Sequence, residues 1–256
     1  MKKVTAFVGS AHKRHTHQAT VQFLNHLQAL GEVEYEIVTL SNYKLGMCRG
    51  CRLCFDKGEA FCPLKDDRDV LFEKIAASDG VVFATPNYCF QMSGIMKVFL
   101  DRFGFAMHRP RYFGKAFTSI VSQGFGGGGK IIKDLDFAAS LVGFNTVKGS
   151  IVSGFEPRTE KELKKNERAL AEQSKRFYNL LMKPAGSSPS LMQVFIFRMG
   201  RTTVKQNADE KSVDYQYYAD KGWLDSDYYY PTRLNPLHKA AGSFMDAVAG
   251  IARNIM

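Results

Sequence analysis

Over its first 182 residues the chain alternates five times between a short apolar segment and a segment whose apolar residues recur at helical spacing. The apolar segments are rich in β-branched and aromatic residues, as buried parallel strands are. This alternation predicts a parallel sheet that is covered by helices on both faces and joined by right-handed crossovers. The predicted strands are residues 4–9, 33–40, 80–84, 117–121 and 145–152.

The helical segments carry their own start signals. Asp66 and Asp67 precede the second helix and Ser93 precedes the third, and all three are residue types that cap helix N-termini. Thr159 heads the last helix, and Glu162 three residues later completes a capping-box pattern. The predicted helices span residues 19–30, 66–77, 93–103, 131–141 and 159–182.

The strand count and the length of this region favour one arrangement of the sheet. Among doubly wound α/β folds, the flavodoxin-like strand order 2-1-3-4-5 fits five strands within residues 1–182. Ligands of such sheets bind at the carboxyl ends of the strands, beside the switch point between strands one and three. We therefore predict a flavodoxin-like, doubly wound, five-stranded parallel sheet with a ligand site at that edge.

The remaining chain is expected to form a separate extension. Residues 184–189 indicate a linker, because proline, glycine and serine interrupt the helical pattern there. We expect a flavodoxin-like domain over residues 1–183 and a helical or irregular extension over 184–256. The extension contains two segments with the apolar spacing of helices and one rich in tyrosine: residues 191–199, 240–256 and 214–230. Two interpretations stay open: a lid or dimer arm over the ligand, and a segment that packs on the domain or on a partner subunit.

The charge balance limits the classes of partner. The formal net charge of +10 favours anionic partners, such as the phosphates of cofactors, nucleic acids or acidic membranes. Lysine and arginine are scattered among acidic residues and no reading motif accompanies them, so we expect no nucleic-acid binding. No apolar run is long enough to cross a bilayer. The first apolar stretch breaks at Gly9, too early for a secretory signal, and we expect a cytoplasmic protein that binds no membrane.

Residues 9–16 (Gly-Ser-Ala-His-Lys-Arg-His-Thr) lie where the first strand passes to the first helix. Backbone N–H groups and the positive end of a helix converge at such a turn, and together they bind phosphate. Ser10 and Thr16 supply hydroxyl groups, and three residues between them supply donors or positive charge: His12, Lys13 and Arg14. The spacings of nucleoside-triphosphate loops and of G-x-G-x-x-G are both absent. From these residues alone, a phosphate site and a basic surface turn are equally supported.

Four of the five cysteines fall within fifteen residues, in the pattern C-x₂-C-x₂-C-x₇-C followed by proline: Cys48, Cys51, Cys54 and Cys62. In a chain for which we expect no secretory signal, this spacing is more typical of a metal or redox site than of disulfides. Closely spaced thiolates hold iron–sulfur clusters, and four thiolates also satisfy a structural zinc site. Without metal, the same residues are redox thiols or small buried side chains. The sequence leaves these alternatives open.

Three motifs occur in an order that points to one superfamily. The segment from Pro86 to Arg102 has the pattern P-x-Y…S-G-x-x-K-x-F-x-D-R. It is preceded by G-S-x-H-K at residues 9–13 and by C-x₂-C-x₂-C…C-P-x-K-D-D at residues 48–67. In this order the motifs resemble those of the superfamily of NADPH-dependent FMN reductases and iron–sulfur flavoproteins. The resemblance covers about the first 180 residues. This chain departs from the iron–sulfur flavoproteins in its last cysteine spacing, seven residues between Cys54 and Cys62, which is longer than the compact spacing of those proteins.

The resemblance implies FMN as the cofactor and NAD(P)H as the electron donor. Because FMN carries the redox chemistry itself, no side chain is assigned as a catalytic acid or base. Ser10, His12 and Thr16 would hold the phosphate, and the loops 86–90 and 123–129 would lie on either side of the isoalloxazine ring. Glycine in the second loop permits close backbone approach. The expected cofactor-binding residues are Ser10, His12, Lys13, Thr16, Pro86, Asn87, Tyr88, Cys89, Phe90, Gln123, Gly124 and Gly127.

The resemblance further implies a homodimeric oxidoreductase that passes electrons to a quinone, a nitro or azo compound, or a similar acceptor. If the four clustered cysteines hold a [4Fe–4S] cluster, the chain is instead an electron carrier between that cluster and FMN. A third alternative is a binding module that keeps the fold without the cofactor. The basic residues 108–111 have two interpretations: contact with the phosphates of NAD(P)H or with an anionic substrate, and a solvated turn.

Overall fold

Segments that are distant in the sequence build two units. The computed structural model describes residues 1–184, 186 and 188–252. Unit 1 and unit 2 are each assembled from three segments: Met1–Arg49, Leu64–Gly104 and Tyr112–Lys183 for unit 1, and Gly50–Pro63, Phe105–Arg111 and the described part of Pro184–Met256 for unit 2. The domain boundary expected after residue 183 stays a prediction.

All strands of the described chain lie in unit 1: β1 (Lys2–Val8), β2 (Val33–Thr39), β3 (Gly80–Tyr88), β4 (Gln91–Met92), β5 (Ala116–Gln123), β6 (Asn145–Thr146) and β7 (Ser150–Ser153). The main sheet has the order β2-β1-β3-β5-β6, and these neighbours are parallel. β7 also pairs with β5 in parallel. The short β4 pairs antiparallel with the end of β3.

This arrangement confirms the predicted flavodoxin-like order 2-1-3-4-5, with β5 as the fourth strand and β6 and β7 together as the fifth. Two predicted strands are corrected. β3 continues to Tyr88 rather than residue 84, because Pro86 still pairs with β5 and the next two residues pair with β4. The predicted strand 145–152 is interrupted where Gly149 passes so close to the Ser119 carbonyl that a side chain would not fit.

The helices of the described chain are α1 (His15–Gln28), α2 (Leu53–Asp56), α3 (Arg68–Ala76), α4 (Gly94–Asp101), α5 (Gly104–His108), α6 (Gly128–Leu141), α7 (Glu160–Leu181), α8 (Leu191–Asn207), α9 (Val213–Asp220) and α10 (Pro236–Ala252). Short 3₁₀ turns lie at Leu40–Asn42 and Glu59–Phe61. None of the helices in the described ranges combines the length and apolar character that a membrane span requires.

The predicted caps are confirmed at two helices and corrected at a third. The Ser93 hydroxyl accepts from the Met96 N–H at the start of α4. Thr159 and Glu162 form the predicted capping box of α7. Asp67 precedes α3 but makes no capping bond, because its carboxylate instead accepts from the Lys44 N–H at 2.7 Å. Asp66, the other predicted cap, accepts from the N–H of Arg68, the first residue of α3, at 3.2 Å.

Aromatic and aliphatic side chains fill the core of unit 1. α1 and α7 pack together against the sheet, where Phe23 and Phe177 meet edge to face at 5.7 Å. A second group of rings includes Phe7, Phe83 and Phe99, whose centroids are 5.2 to 5.7 Å apart. Such edge-to-face and offset contacts add to the stability that burial of the rings provides. The core therefore fixes β1 and β3, which border the predicted ligand site.

In unit 2 the aromatic rings of the tyrosine-rich segment pack on one another. Tyr218 and Trp223 are buried, with ring centroids 5.3 Å apart. The two interpretations of the extension, a lid or dimer arm and a packing segment, stay predictions. α8 extends to Asn207, beyond the predicted residue 199, and Arg198 on this helix pairs with Asp246 on α10. Residues 185 and 187 of the predicted linker, and residues 253–256 of the predicted last helix, lie outside the described residues.

Candidate functional site

A cleft of about 290 Å³ opens in unit 1 at the carboxyl ends of β1, β3, β5 and β7. In a doubly wound sheet the ligand site lies at this edge, beside the switch point formed by β1 and β3. The loops that leave the four strands line the cleft, and no lining residue among those described is acidic. The cleft therefore lies where the predicted fold places a ligand, and its side chains favour an anionic one.

The turn between β1 and α1 forms the basic end of the cleft, which His12, Arg14 and His15 line. The first turn of α1, which the structure describes in full, contains no acidic side chain to offset the positive end of the helix dipole. Ser10 donates to the His12 carbonyl at 3.0 Å, which closes the turn. Thr16 lies with its hydroxyl 2.5 Å from that of Ser122, so this turn is tied to the end of β5. The arrangement suits a phosphate group.

Ser93 connects this turn to the segment that follows β3. Its hydroxyl donates to the Gly9 carbonyl at 2.6 Å, and its backbone N–H donates to Thr85 Oγ1 at 3.0 Å. A Cβ at Gly9 would lie 2.8 Å from Met96 Cβ, so only glycine fits where β1 passes the start of α4. Two residues of the sequence motifs thus hold the backbone of the cleft in place rather than line it.

The segment after β3 forms a tight hairpin beside the cleft. Pro86, Asn87 and Tyr88 line the cleft, and the chain then turns at Cys89 and Phe90 before it returns as β4. Both turn residues have left-handed backbone, with φ of 49° and 61°. Two consecutive positive φ values are those of the tight turns that join antiparallel strands. Side chains other than glycine and asparagine rarely adopt them, so the surrounding structure imposes this conformation.

Asn87 and Gln123 fasten the glycine loop, residues 124–129, to the ends of β3 and β5. Asn87 Nδ2 donates to the Gly126 carbonyl at 2.7 Å, and Gln123 Oε1 accepts from the Gly128 N–H at 2.8 Å. The other amide atom of Asn87, its Oδ1, is buried and has no hydrogen-bond partner in the described chain. Because a buried unpaired acceptor is costly, this oxygen is a place for an N–H group of a ligand.

Gly127 brings the glycine loop close to the hairpin. Its φ is +92°, and a Cβ there would lie 2.9 Å from Phe90 Cδ1 and 3.3 Å from Asn87 Nδ2. Glycine is the residue that accepts both the conformation and the close approach. The residues present fit FMN, because a basic turn suited to phosphate and a glycine loop with an unpaired amide oxygen border one cleft.

Residues 2–156, more than half of the chain, match the family described as NADPH-dependent FMN reductase. The chain belongs to this family. Membership in the NADPH-dependent FMN reductase family confirms the predicted resemblance. The family's description names FMN, and it names NADPH as the nucleotide on which the reductase depends.

Two iron–sulfur flavoproteins of Archaeoglobus fulgidus are similar to this NADPH-dependent FMN reductase family member. One is 34% identical over 128 residues, 50% of this chain and 62% of that protein, so the match spans less than two thirds of its length. The other is 28% identical over 204 residues, 75% of this chain and 86% of that protein. Among solved structures, an NAD(P)H:quinone oxidoreductase from Methanothermobacter marburgensis has a TM-score of 0.56 at 17% identity, over 68% of this chain and 96% of that one. The structural likeness shows a shared fold.

Eight of the twelve predicted cofactor-binding residues line the cleft, and four do not. Lys13 is exposed on the turn, and Cys89 and Phe90 form the tip of the hairpin. Gly127 lies in the glycine loop against Phe90. Their roles toward FMN stay predictions.

Five lining residues are absent from the predicted set: Arg14, His15, Ser122, Gly154 and Arg158. The first three directly adjoin predicted residues. Gly154 and Arg158 follow β7, the fifth strand position of the sheet. Since every loop at the carboxyl edge of such a sheet borders the ligand site, the predicted strand order contained the signal that would have found both.

The cysteine segment was predicted to hold a metal centre or redox thiols. Cys48 and Cys51 are exposed, and Cys54 and Cys62 are half-buried. Within the described ranges, no three cysteine, histidine or acidic side chains lie together as a ligand set for a metal ion. As placed, these residues do not fit an iron–sulfur cluster or a zinc ion. Their assignment as metal ligands stays a prediction.

In unit 2 a buried arginine holds part of this segment. The Arg109 side chain is only 1% exposed, and its Nη2 donates to the Cys54 carbonyl at 2.6 Å and to Glu59 Oε2 at 3.3 Å. Its Nη1 pairs with Asp214. Burial alone would raise the pKa of Asp214, but hydrogen bonds from His108 and Arg109 and their charges hold it below its usual value. Because the Arg109 side chain is buried, the interpretation of residues 108–111 as a solvated basic turn is wrong for this residue. The sequence did not show this burial, since the acidic partners of Arg109 lie far away along the chain.

Proposed function

We propose that this protein is an FMN-dependent oxidoreductase that takes electrons from NAD(P)H and passes them to a small-molecule acceptor, such as a quinone, a nitro compound or an azo compound. Bound FMN supplies the hydride and electron transfer. The observation that carries the proposal is one cleft at the switch point of the sheet, with a basic turn and an amide-lined loop on its walls. The family membership supports it independently.

The β1–α1 turn binds the phosphate in this proposal. Ser10, His12 and the backbone N–H groups at the start of α1 are its donors, and the positive end of the helix favours the negative charge. Thr16, whose hydroxyl lies against Ser122, keeps the turn at a fixed position relative to β5. Lys13 adds to the attraction for anions from the exposed side of the turn.

The hairpin and the glycine loop orient the isoalloxazine ring. Asn87 Oδ1 accepts from a ring N–H group, while Nδ2 of the same side chain keeps its bond to Gly126. Tyr88 at the end of β3, and Phe125 and Phe155 on loops, are exposed aromatic side chains at this edge of the sheet. Exposed aromatic faces favour contact with a flat acceptor, which supports quinones and aromatic nitro or azo compounds as the acceptor class.

The test is the absorption spectrum and FMN content of the purified full chain, followed by oxidation of NADPH and NADH with menadione as acceptor. We expect about one FMN per chain, bleaching of the flavin bands by NAD(P)H, and recovery of colour on addition of menadione. An Asn87→Leu variant, which loses both amide contacts, should bind FMN at least tenfold more weakly. A colourless protein that takes up no FMN would instead identify a binding module without the cofactor.

A second candidate function is electron transfer between FMN and an iron–sulfur cluster. The names of the two Archaeoglobus relatives and the cysteine pattern favour it, whereas the placement of the thiols does not. Iron, sulfide and zinc analysis of anaerobically purified protein separates the candidates. About four iron atoms per chain, as a cubane held by four cysteines requires, would select the electron carrier. Metal-free protein that still oxidises NAD(P)H would select the reductase.

We also propose that the protein is a cytoplasmic homodimer, with residues 1–183 as the FMN-binding domain. The support is the family resemblance and the absence of a membrane-spanning helix from the described ranges. Light scattering on the eluting protein should give twice the chain mass of 28.8 kDa. A monomeric mass over the micromolar range would contradict the dimer.

A further inference from the structure

The loop between β7 and α7 adds a second wall to the basic end of the cleft. Because α1 and α7 pack together and both follow parallel strands, their N-termini begin at the same edge of the sheet. Arg158 immediately precedes the Thr159 cap of α7, and His15 is the first residue of α1. The side chains of both residues line the cleft.

Arg158 has a buried donor with no hydrogen-bond partner. Its side chain is only 12% exposed, and its Nε makes no hydrogen bond in the described chain. The side chain lies against Gly154, which has a φ of +143° and where a Cβ would lie 3.0 Å from Arg158 Cγ. A larger residue at Gly154 would push the arginine out of this position. The backbone therefore holds a charged donor in the wall of the cleft.

A carboxylate shows what kind of group these two side chains attract. Glu156 Oε1 lies 3.1 Å from His15 Nε2 and 3.4 Å from Arg158 Nε. One oxygen of an anion thus spans the two loops, although Glu156 itself is largely exposed. Arginine donates to phosphate oxygens in the same way as to carboxylate oxygens. A phosphate at this position would meet the same two donors.

We propose that Arg158 and His15 bind a phosphate monoester at the basic end of the cleft, and that Glu156 competes with it for these side chains. The inference rests on the proposed function, in which two ligands carry this group: FMN as its 5′-phosphate and NADPH as its 2′-phosphate. A phosphate monoester carries about −1.5 to −2 charges at pH 7, so it outcompetes the single charge of Glu156. Riboflavin and NADH lack the respective phosphate, which makes each a matched probe.

The experiment compares Arg158→Gln with Arg168→Gln, which removes an exposed arginine of α7 that pairs only with Glu172 in the described chain. FMN and riboflavin are titrated into flavin-free full-length protein and followed by flavin fluorescence. KM values for NADPH and NADH are measured at saturating FMN. If the site binds the 5′-phosphate, we expect Arg158→Gln to weaken the binding of FMN at least tenfold and the binding of riboflavin less than twofold. If the 2′-phosphate is bound, the KM for NADPH should rise at least tenfold while that for NADH stays constant.

Glu156→Gln supplies a test in the opposite direction. Removal of the competing charge should increase the affinity for the ligand whose phosphate is bound, FMN or NADPH, two- to fivefold. The affinity for the matched ligand without that phosphate, riboflavin or NADH, should not change. The gain of affinity also separates the proposal from a loss of folding, because a misfolded variant does not bind more tightly.

Inorganic phosphate tests the site without reliance on the flavin. It should raise the midpoint of thermal unfolding of the wild-type chain and of Arg168→Gln, but not that of Arg158→Gln. The proposal is overturned if phosphate raises the unfolding midpoint of all three proteins equally. It is also overturned if Arg158→Gln weakens the binding of FMN and riboflavin by the same factor. A chain that responds to phosphate but neither binds FMN nor oxidises NADPH would refute the proposed function and leave the phosphate site standing.

Discussion

At the scale of single residues, Gly127 is the position where a methyl group should matter most. Its φ is +92°, and a Cβ would press on Phe90 and Asn87. We expect Gly127→Ala to lower the free energy of unfolding by about 1–2 kcal/mol, from the left-handed backbone alone. The displacement of Asn87 should also weaken the binding of FMN about tenfold. Fluorescence titration with FMN and urea unfolding measure the two effects.

The control lies two residues away. A Cβ at Gly129 meets no atom within 4 Å and the residue lies inside α6, so Gly129→Ala should stabilise the protein by about 0.5–1 kcal/mol. Equal effects of the two substitutions would contradict the role of Gly127.

Asp136 of α6 gives the stability a dependence on pH. Burial raises its pKa to about 6, although a hydrogen bond from Ser119 and the charge of Lys148 offset part of the effect. A carboxyl group with a raised folded pKa stabilises the protein at low pH, and this contribution is lost as the pH rises through about 6. After allowance for solvent screening, Asp136→Asn should stabilise the protein by about 1 kcal/mol at pH 8 and by nothing at pH 4.

Urea unfolding of Asp136→Asn at both pH values measures this gain. Asp134→Asn is the matched control, because Asp134 lies on the same helix in an exposed pair with Lys130. A gain that appears in both variants, or that persists at pH 4, would mean that burial of Asp136 is not its cause.

At the scale of elements, the buried pair of Asp66 and Arg102 joins the start of α3 to the end of α4. Arg102 is 2% exposed at its side chain, and its two terminal nitrogens lie 2.6 and 3.1 Å from the carboxylate of Asp66. Burial alone would raise the pKa of Asp66, but hydrogen bonds from Arg102, Gly46 and Arg68 lower it. The stabilising contribution is therefore present at neutral pH and is lost as the pH falls through the lowered pKa.

Asp66→Asn should cost about 3 kcal/mol of the free energy of unfolding at pH 7, because it removes the carboxylate that faces the buried charge of Arg102. Asp101→Asn breaks the exposed pair with Lys97 in the same motif and should cost less than about 0.5 kcal/mol. Urea unfolding of both variants gives the comparison. Similar costs would show that burial of Asp66 and Arg102 does not set their contribution.

The elements that sequence predicted well are those with local signals. The capping serine of α4 and the capping box of α7 are readable because their partners lie three residues away. The hairpin at Cys89 and Phe90 was missed, because neither residue is of the type that signals a turn. The partners of Arg102 and Arg109 were also missed, since they lie 36 to 105 residues away. The cleft was predictable because strand order alone determines which loops meet.

At the scale of the whole molecule, every residue that lines the cleft belongs to unit 1. A ligand that binds only the folded cleft stabilises it by about 2.7 kcal/mol at one hundred times its Kd. In hydrogen exchange, we expect FMN to protect residues 9–16 and 122–129 strongly. Amides of α8 and α10, which belong to unit 2, should gain less protection. Equal protection throughout the chain would contradict a ligand site confined to unit 1.

The contacts of Arg109 have a consequence for the order in which the nascent chain becomes structured. Its acceptors come from Cys54 and Glu59 on one side of the sequence and from Asp214 on the other. At about 5–20 residues per second, the ribosome releases Asp214 roughly ten seconds or more after Cys54. Until then Arg109 lacks one of its carboxylates, so the segment that carries Cys54 and Glu59 gains its full set of contacts to this arginine only after residue 214 has been made.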